Sequence, residues 1–168
     1  PPRPKGGRQA LILQKRRVVA GAILYPVGDA LGALLTGSFT WGRFLGLSLV
    51  GASLYAWEVP LAFSIISGLS EERPLRKLLL ALLYFNPLWI ARHLFFLRLF
   101  SGQALLASGL LAASLSSFLI SLPLSAVGNY VVQNKLPLSH RFLGSATFSG
   151  IMALYYAVMA RLLGGIHG

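Results

Sequence analysis

Long apolar stretches constrain the fold of this chain more than any other feature of its sequence. About 20 consecutive apolar residues cross the hydrocarbon core of a bilayer, and several stretches here approach that length. Hydrophobic residues make up 55% of the 168 residues and charged residues only 11%, whereas a soluble domain carries about 25% charged residues. The sequence therefore predicts an all-α polytopic transmembrane helical bundle with four to five kinked spans.

Turn residues and charges divide the apolar sequence into five segments. They run over about 18–35, 43–66, 75–100, 103–127 and 142–163. We expect a basic flexible tail at 1–17 and a single transmembrane domain at 18–168. With five spans, eleven bases lie on one side of the membrane and three on the other, so the N-terminus is expected in the cytoplasm, matrix or stroma. A re-entrant fourth segment would weaken that bias, and whether 104–127 crosses fully is left open.

Two acids, Asp29 and Glu58, lie inside apolar segments of a chain that has four acids and fifteen bases. A carboxylate in the middle of a span costs about 2.5–3.5 kcal/mol on insertion scales. Because charges inside membranes are usually paired, we expect Arg92 to be the counter-ion of one of these acids. Together with His93 they would form a polar interior or an ion pair, which either holds the bundle together or lines a polar passage.

Small residues in two segments indicate helix packing. Gly42, Gly46 and Gly51 recur at spacings of four and five in segment two, so this face is expected to pack closely against a neighbouring helix. Segment four is rich in serine, whose hydroxyls can bond to their own helix, bond to a neighbour, or wet one wall of a pore. A proline near each membrane acid is expected to kink the first two segments.

The sequence has no motif that supports catalysis or a metal site. It contains no HExxH, no GxSxG, no phosphate-binding glycine loop and no cysteine, so we expect no enzyme and no bound metal. His93 could ligate a haem or a chlorin from a helix face, but a lone histidine beside two arginines is more often a hydrogen-bonded core residue. We therefore predict no cofactor.

The basic residues indicate which partners to expect. The net charge is +11, but the bases lie in the N-terminal stretch and at the ends of apolar runs rather than on one folded face. This pattern favours anionic lipid headgroups over nucleic acid. Bound lipids are the expected partners, and other membrane subunits are a second class of partner.

Short motifs occur in a recognisable order along the chain. They are Gly28-Asp29 in the first segment, Arg43, Gly51 and Trp57 in the second, Lys77 and Pro87 in the third, and Asn129, Pro137, Arg141 and Tyr155 toward the end. In these residues the chain resembles a divergent member of the Mpv-seventeen / peroxisomal membrane protein twenty-two family of small organelle membrane proteins. It departs from that family at Ala81 and Leu82, which stand where the family has Asp-Gln.

The resemblance implies a compact bundle in an organelle inner membrane, mitochondrial or plastid rather than bacterial, and a channel-like protein for small solutes. In this interpretation Asp29, Glu58 and Arg92 set the charge preference of the passage. The alternative is a non-catalytic accessory scaffold subunit of a larger respiratory or photosynthetic membrane complex. The aromatic residues of segment three and the loss of the polar Asp-Gln pair favour that alternative.

Overall fold

The computed structural model of the chain describes the backbone of residues 5–70, 73–105 and 107–164, and the side chains of 14–70, 73–105 and 109–155. The described residues form five long helices: α1 Lys5–Thr36, α2 Trp41–Leu69, α3 Pro74–Phe100, α4 Ala107–Asn134 and α5 Leu138–Gly164. The prediction of an all-α helical bundle is confirmed for this part of the chain.

Four of these helices are long and apolar enough to cross a membrane. The candidate spans are Gln14–Thr36, Trp41–Leu69, Pro74–Phe100 and Gly109–Asn134, with 23, 29, 27 and 26 residues. Helix α5 has 27 residues, which at 1.5 Å per residue is about 40 Å. The helices support an integral membrane protein.

The largest differences from the predicted segments are at two helix boundaries. Helix α1 begins at Lys5 rather than at residue 18, because no proline interrupts the chain between Lys5 and Pro26 and the basic residues are good helix formers. Helix α4 continues through Pro123 and Gly128 and ends at Asn134 rather than at 127. Its length is that of a full crossing, so the structure supports a spanning rather than a re-entrant fourth segment.

The five helices close into a ring. Helix α1 packs against both α2 and α5, and further contacts join α2 with α3, α3 with α4, α4 with α5, and α2 with α5. The connections between successive helices are short, which places neighbours antiparallel. As a result, one side of every helix faces a common interior and the other side faces outward.

Glycine contacts set the spacing between α1 and α2. A Cβ on either Gly21 or Gly51 would collide with the backbone carbonyl of the other, so the two helices approach closely at this point. Gly46 of α2 packs against the ring of Phe100 on α3, whereas Gly42 has no atom within 4 Å of its Cβ position. The predicted small-residue face of α2 is thus confirmed at two of its three glycines.

Helices α2 and α3 each contain one π-helical turn, at Gly51–Tyr55 and Ala81–Phe85. A π turn holds one more residue than an α-helical turn, so it rotates the part of the helix that follows and changes which side chains face inward. The first turn ends at Tyr55 and the second ends just before Asn86. Both of these side chains line the interior described below.

The outward faces are apolar. Exposed large hydrophobic side chains occur on all five helices, and they include Val19, Leu49, Leu83, Leu111 and Ile151. An apolar surface of this extent is far larger than the patches of a few hundred Å² that soluble monomers expose. The distribution of these residues fits a surface that faces lipid.

Candidate functional site: a polar cavity inside the bundle

A cavity of about 340 Å³ lies between the helices and is lined by side chains from all five of them. Its polar lining residues are Tyr25, Asp29, Thr36, Arg43, Tyr55, Asn86, His93, Ser117, Ser125, Asn129, Ser145 and Ser149. The volume is at the lower end of the range for small-molecule sites. Polar groups at this depth in a membrane bundle are costly unless they are paired or serve a ligand.

The strongest interaction in the cavity wall joins Asp29 of α1 to Arg43 of α2. The Nε of Arg43 donates to Oδ2 of Asp29 at 2.7 Å, and its Nη2 contacts Oδ1. This two-point contact engages both carboxylate oxygens and is the geometry in which an arginine binds a carboxylate most strongly. Asp29 is buried and Arg43 is nearly so, so water screens the pair only weakly.

The loop between α1 and α2 brings these two residues together. Gly37 has a φ of 70° and ends α1, and the Thr40 side chain accepts from the Arg43 N–H at 3.3 Å to cap the start of α2. The reversal is short, so Arg43 on the first turn of α2 faces back toward the last turns of α1. Asp29 lies seven residues before Thr36, about 10 Å along the helix, and the long arginine side chain covers that distance.

A second pair lies one helical turn deeper in the bundle. The hydroxyl of Tyr25 and Nδ1 of His93 are 2.7 Å apart, and the two rings meet edge to face with centroids 5.4 Å apart. Tyr25 precedes Asp29 by four residues, so both point from the same face of α1. His93 is therefore a hydrogen-bonded residue of the cavity wall.

Asparagines and serines complete the polar wall. Nδ2 of Asn129 donates to the carbonyl of Ser125 at 2.8 Å and reaches Oδ1 of Asn86 at 3.4 Å. The Tyr55 hydroxyl donates to Oγ of Ser145 at 3.2 Å. These bonds join α4 to α3 and α2 to α5 across the interior.

The serines of α4 fall into two of the three uses considered from the sequence. Ser114 and Ser121 bond to carbonyls of their own helix, whereas Ser117 and Ser125 line the cavity. A serine that lines a cavity adds a hydroxyl to its wall. Helix α4 therefore contributes a partly polar wall.

Glu58 and Arg92 form an ion pair with each other, but neither lines the cavity. The Arg92 guanidinium also stacks over the ring of Trp89, 4.4 Å from its centroid. Arg92 is thus the counter-ion of Glu58, one of the two pairings expected from the sequence, and the cavity lining includes Asp29 and His93 but neither Glu58 nor Arg92. Arg92 and His93 are consecutive on a helix and point about 100° apart, so only His93 faces inward.

The other motif residues occupy separate positions. Gly28 lies against α5 and Gly51 against α1, and Trp57 is 66% exposed on the outer face. Arg141 is buried and donates from Nη1 to Oγ of Ser67 at 2.9 Å and from Nε to the Leu136 carbonyl at 3.1 Å. Of the remaining motif residues, Lys77 is buried near the start of α3, Pro87 follows the π turn of that helix, Pro137 precedes α5, and Tyr155 lies on α5.

Sequence reasoning missed Arg43 as the partner of Asp29 and Tyr25 as the partner of His93. Arg43 begins an apolar segment, a position more typical of the membrane interface than of a bundle interior. The signal that could have identified it is the short Gly- and Thr-containing reversal between Asp29 and Arg43, which predicts a tight helical hairpin. The Tyr25–His93 contact joins residues 68 positions apart, and no local pattern in the sequence indicates it.

The cavity chemistry favours a hydrogen-bonding ligand over a metal. Within the described residues, no group of three or more His, Asp or Glu side chains comes together to hold a metal ion. Both oxygens of the one carboxylate in the wall, that of Asp29, are engaged by Arg43. What the cavity presents is a set of N–H and O–H groups beside aromatic and aliphatic side chains.

Comparisons with protein-family models, with curated proteins and with solved structures found no match. The resemblance to the Mpv-seventeen / peroxisomal membrane protein twenty-two family, and the organelle inner membrane that it implies, therefore stay predictions. Function is inferred below from the geometry of the cavity and of the helices around it.

Proposed function

We propose that this protein is a channel-like integral membrane protein that admits small solutes to the cavity inside its helical bundle. The observation that carries the proposal is a cavity in which polar side chains from all five helices stand among a mostly apolar lining, inside a bundle whose large hydrophobic residues face outward. Polar side chains that face a common interior are the arrangement by which membrane proteins lower the barrier for a polar solute.

The open volume of the cavity and the paired charges of its wall both support a solute pathway rather than a purely structural core. A structural core of this size would be expected to fill with side chains at native packing density, whereas a cavity of about 340 Å³ is left open here. At about 30 Å³ for each water, that volume corresponds to roughly eleven water-sized groups. The Asp29–Arg43 pair is neutral overall, so it adds polarity to the passage without a large single-sign barrier.

Permeation through reconstituted vesicles tests the proposal. The protein is placed in liposomes, and the rate of osmotic swelling is measured with small polar solutes such as urea, glycerol and glucose. Ala153 lines the cavity on α5, and its neighbour Leu154 is more exposed. Ala153→Phe should reduce permeation at least tenfold, whereas the matched change Leu154→Phe should leave it within twofold of the original protein.

Two results would contradict this function. One is a swelling rate that does not exceed that of empty liposomes for any solute. The other is an equal loss of permeation in Ala153→Phe and Leu154→Phe. A loss that does not depend on whether the substituted residue lines the cavity would come from misfolding. Gel filtration of both variants in detergent supplies the check on folding.

The Glu58–Arg92 pair favours a second candidate, the accessory scaffold subunit. The side chains of Glu58 and Arg92 are 26% and 22% exposed, and the adjacent Trp57 is 66% exposed. Partly exposed charges on the lipid side of a helix are costly, and a partner helix that covered this pair would remove the cost. The native size after gentle detergent extraction separates the candidates: a fixed assembly of several hundred kilodaltons supports the scaffold, and a small species leaves the channel-like function.

A further inference from the structure

The ion pair in the cavity wall leaves part of the arginine unused. Nε and Nη2 of Arg43 bind Asp29, and Nη1 makes no hydrogen bond with any described residue. Arg43 lines the cavity, and an arginine has donors but no acceptor. The guanidinium therefore offers N–H groups to the interior in addition to those that hold Asp29.

His93 offers a further donor. The only hydrogen-bond partner of the Tyr25 hydroxyl among the described residues is Nδ1 of His93, at 2.7 Å. A buried phenol hydroxyl that did not donate would be left unsatisfied, so Tyr25 is assigned as the donor and Nδ1 as the acceptor. The neutral imidazole then carries its proton on Nε2, which has no partner among the described residues.

The two donors line the same cavity, and the described part of its lining holds no unpaired carboxylate. Arg43 is anchored to Asp29, and His93 is anchored to Tyr25, one turn or about 6 Å away on α1. Asp29 is the one acid among the described residues of the lining, and Arg43 occupies both of its oxygens. An anion at this point would find donors and no opposing negative charge.

Aliphatic side chains form the neighbouring part of the wall. Ile90, Leu94 and Leu97 follow one face of α3 next to His93 and line the same cavity. A ligand that fits both parts has an oxyanion at one end and a compact hydrocarbon group at the other. An inorganic anion would leave this aliphatic surface uncovered.

We propose that the cavity binds small organic monocarboxylates, with the carboxylate held by Nη1 of Arg43 and Nε2 of His93 and the hydrocarbon group against Ile90, Leu94 and Leu97. This inference deepens the proposed function and rests on it, because it names the class of solute that the same cavity takes. An arginine and a second N–H donor form the charge-assisted contacts that a carboxylate accepts most strongly. The cavity volume of about 340 Å³ accommodates a ligand the size of benzoate.

Three probes of equal size test the charge preference by direct binding. Benzoate, benzamide and benzylamine are titrated into the protein in nanodiscs of zwitterionic lipid. The signal is the fluorescence of Trp89, which lines the cavity, in a Trp41→Phe/Trp57→Phe background. Benzoate should bind at least tenfold more tightly than either benzamide or benzylamine, and equal affinity for the three would overturn the inference.

Paired variants show whether the named residues produce the preference. Asp29→Asn/Arg43→Gln removes the ion pair without leaving an unpaired charge, and it should abolish the difference between benzoate and benzamide. The matched control Glu58→Gln/Arg92→Gln removes an ion pair that does not line the cavity, and it should preserve that difference. A preference that survives the first change, or that both changes abolish, would overturn the inference.

The histidine provides a test that leaves the ion pair in place. His93→Phe removes the donor and should weaken benzoate binding at least fivefold, whereas His93→Gln keeps an N–H donor and should bind within twofold of the original protein. Equal affinity of the two variants would overturn the role of Nε2.

Benzoate binding and solute permeation are separate measurements, and each can fail without the other. Liposome swelling with small solutes and no preference for benzoate would overturn the monocarboxylate site and leave the channel-like function standing. Selective benzoate binding without permeation of any solute would sustain the site and overturn the channel-like function.

Discussion

Gly28 on α1 lies directly against the backbone of Gly150 on α5, and the contact is asymmetric. A Cβ added to Gly28 would overlap the Cα and the carbonyl group of Gly150, whereas a Cβ added to Gly150 would lie 3.7 Å from the nearest atom, the Cα of Gly28. The first position therefore excludes any side chain, and the second tolerates a methyl group. Close backbone contact of this kind holds transmembrane helices together.

The asymmetry predicts different costs for the same substitution. Gly28→Ala should lower the free energy of unfolding by about 1–3 kcal/mol, the usual cost of overpacking. Gly150→Ala should change it by less than about 1 kcal/mol, because the methyl group fits and alanine is the better helix former. Thermal unfolding followed by circular dichroism in one detergent measures both, and equal shifts in Tm would contradict the geometry.

Charge changes in the cavity wall should alter ion selectivity in opposite directions. Asp29→Asn leaves the Arg43 cation unpaired and should shift permeation toward anions, whereas Arg43→Gln leaves the Asp29 carboxylate unpaired and should shift it toward cations. The double variant should resemble the original protein, because the pair is neutral. Reversal potentials in planar bilayers under a salt gradient measure the shift, and unchanged selectivity in Asp29→Asn would count against a pathway past this pair.

The Glu58–Arg92 pair should show energetic coupling. Either Glu58→Gln or Arg92→Gln alone leaves one charge without its partner. The free energy of unfolding should therefore fall less in the double variant than the sum of the losses in the two single variants. A coupling energy of about 0.5–3 kcal/mol is expected for residues in direct contact. Unfolding of the four proteins of the cycle in detergent provides the measurement, and additive effects would show that the pair does not form.

Gln133 should be a position where substitution stabilises the protein. It is fully buried, and neither its Nε2 nor its Oε1 has a hydrogen-bond partner in the described structure. An unsatisfied buried polar group costs about 1–3 kcal/mol, so Gln133→Met, which keeps the shape and removes the amide, should raise the Tm. A lower Tm would indicate that the amide is hydrogen-bonded, and Gln133→Glu serves as the destabilising control.

Much of the fold is predictable from the order of apolar and polar residues. Five apolar segments predict five helices, because backbone groups in lipid must be satisfied within each segment. The same reasoning predicts that an acid within a span has a basic partner, and the structure pairs Arg92 with Glu58. The small-residue spacing on α2 likewise predicts the close contact that Gly51 makes with α1.

Helix ends were less predictable than helix existence. Pro123 and Gly128 interrupt the pattern of segment four, but both lie inside α4, which ends at Asn134. A proline removes one hydrogen bond and bends a helix, but it does not have to end it. Local breaker signals therefore placed the end of this helix too early.

What the sequence determined by itself is a bundle of membrane-crossing helices with ionisable residues at known depths, since hydrophobic length and charge position are local properties of the chain. Tertiary structure decided which acid meets which base and which side chains share an interior. Arg43 rather than Arg92 binds Asp29, and Tyr25 meets His93 across 68 positions. Such pairings depend on how the helices are rotated about their axes, and π turns and glycine contacts between helices set that rotation.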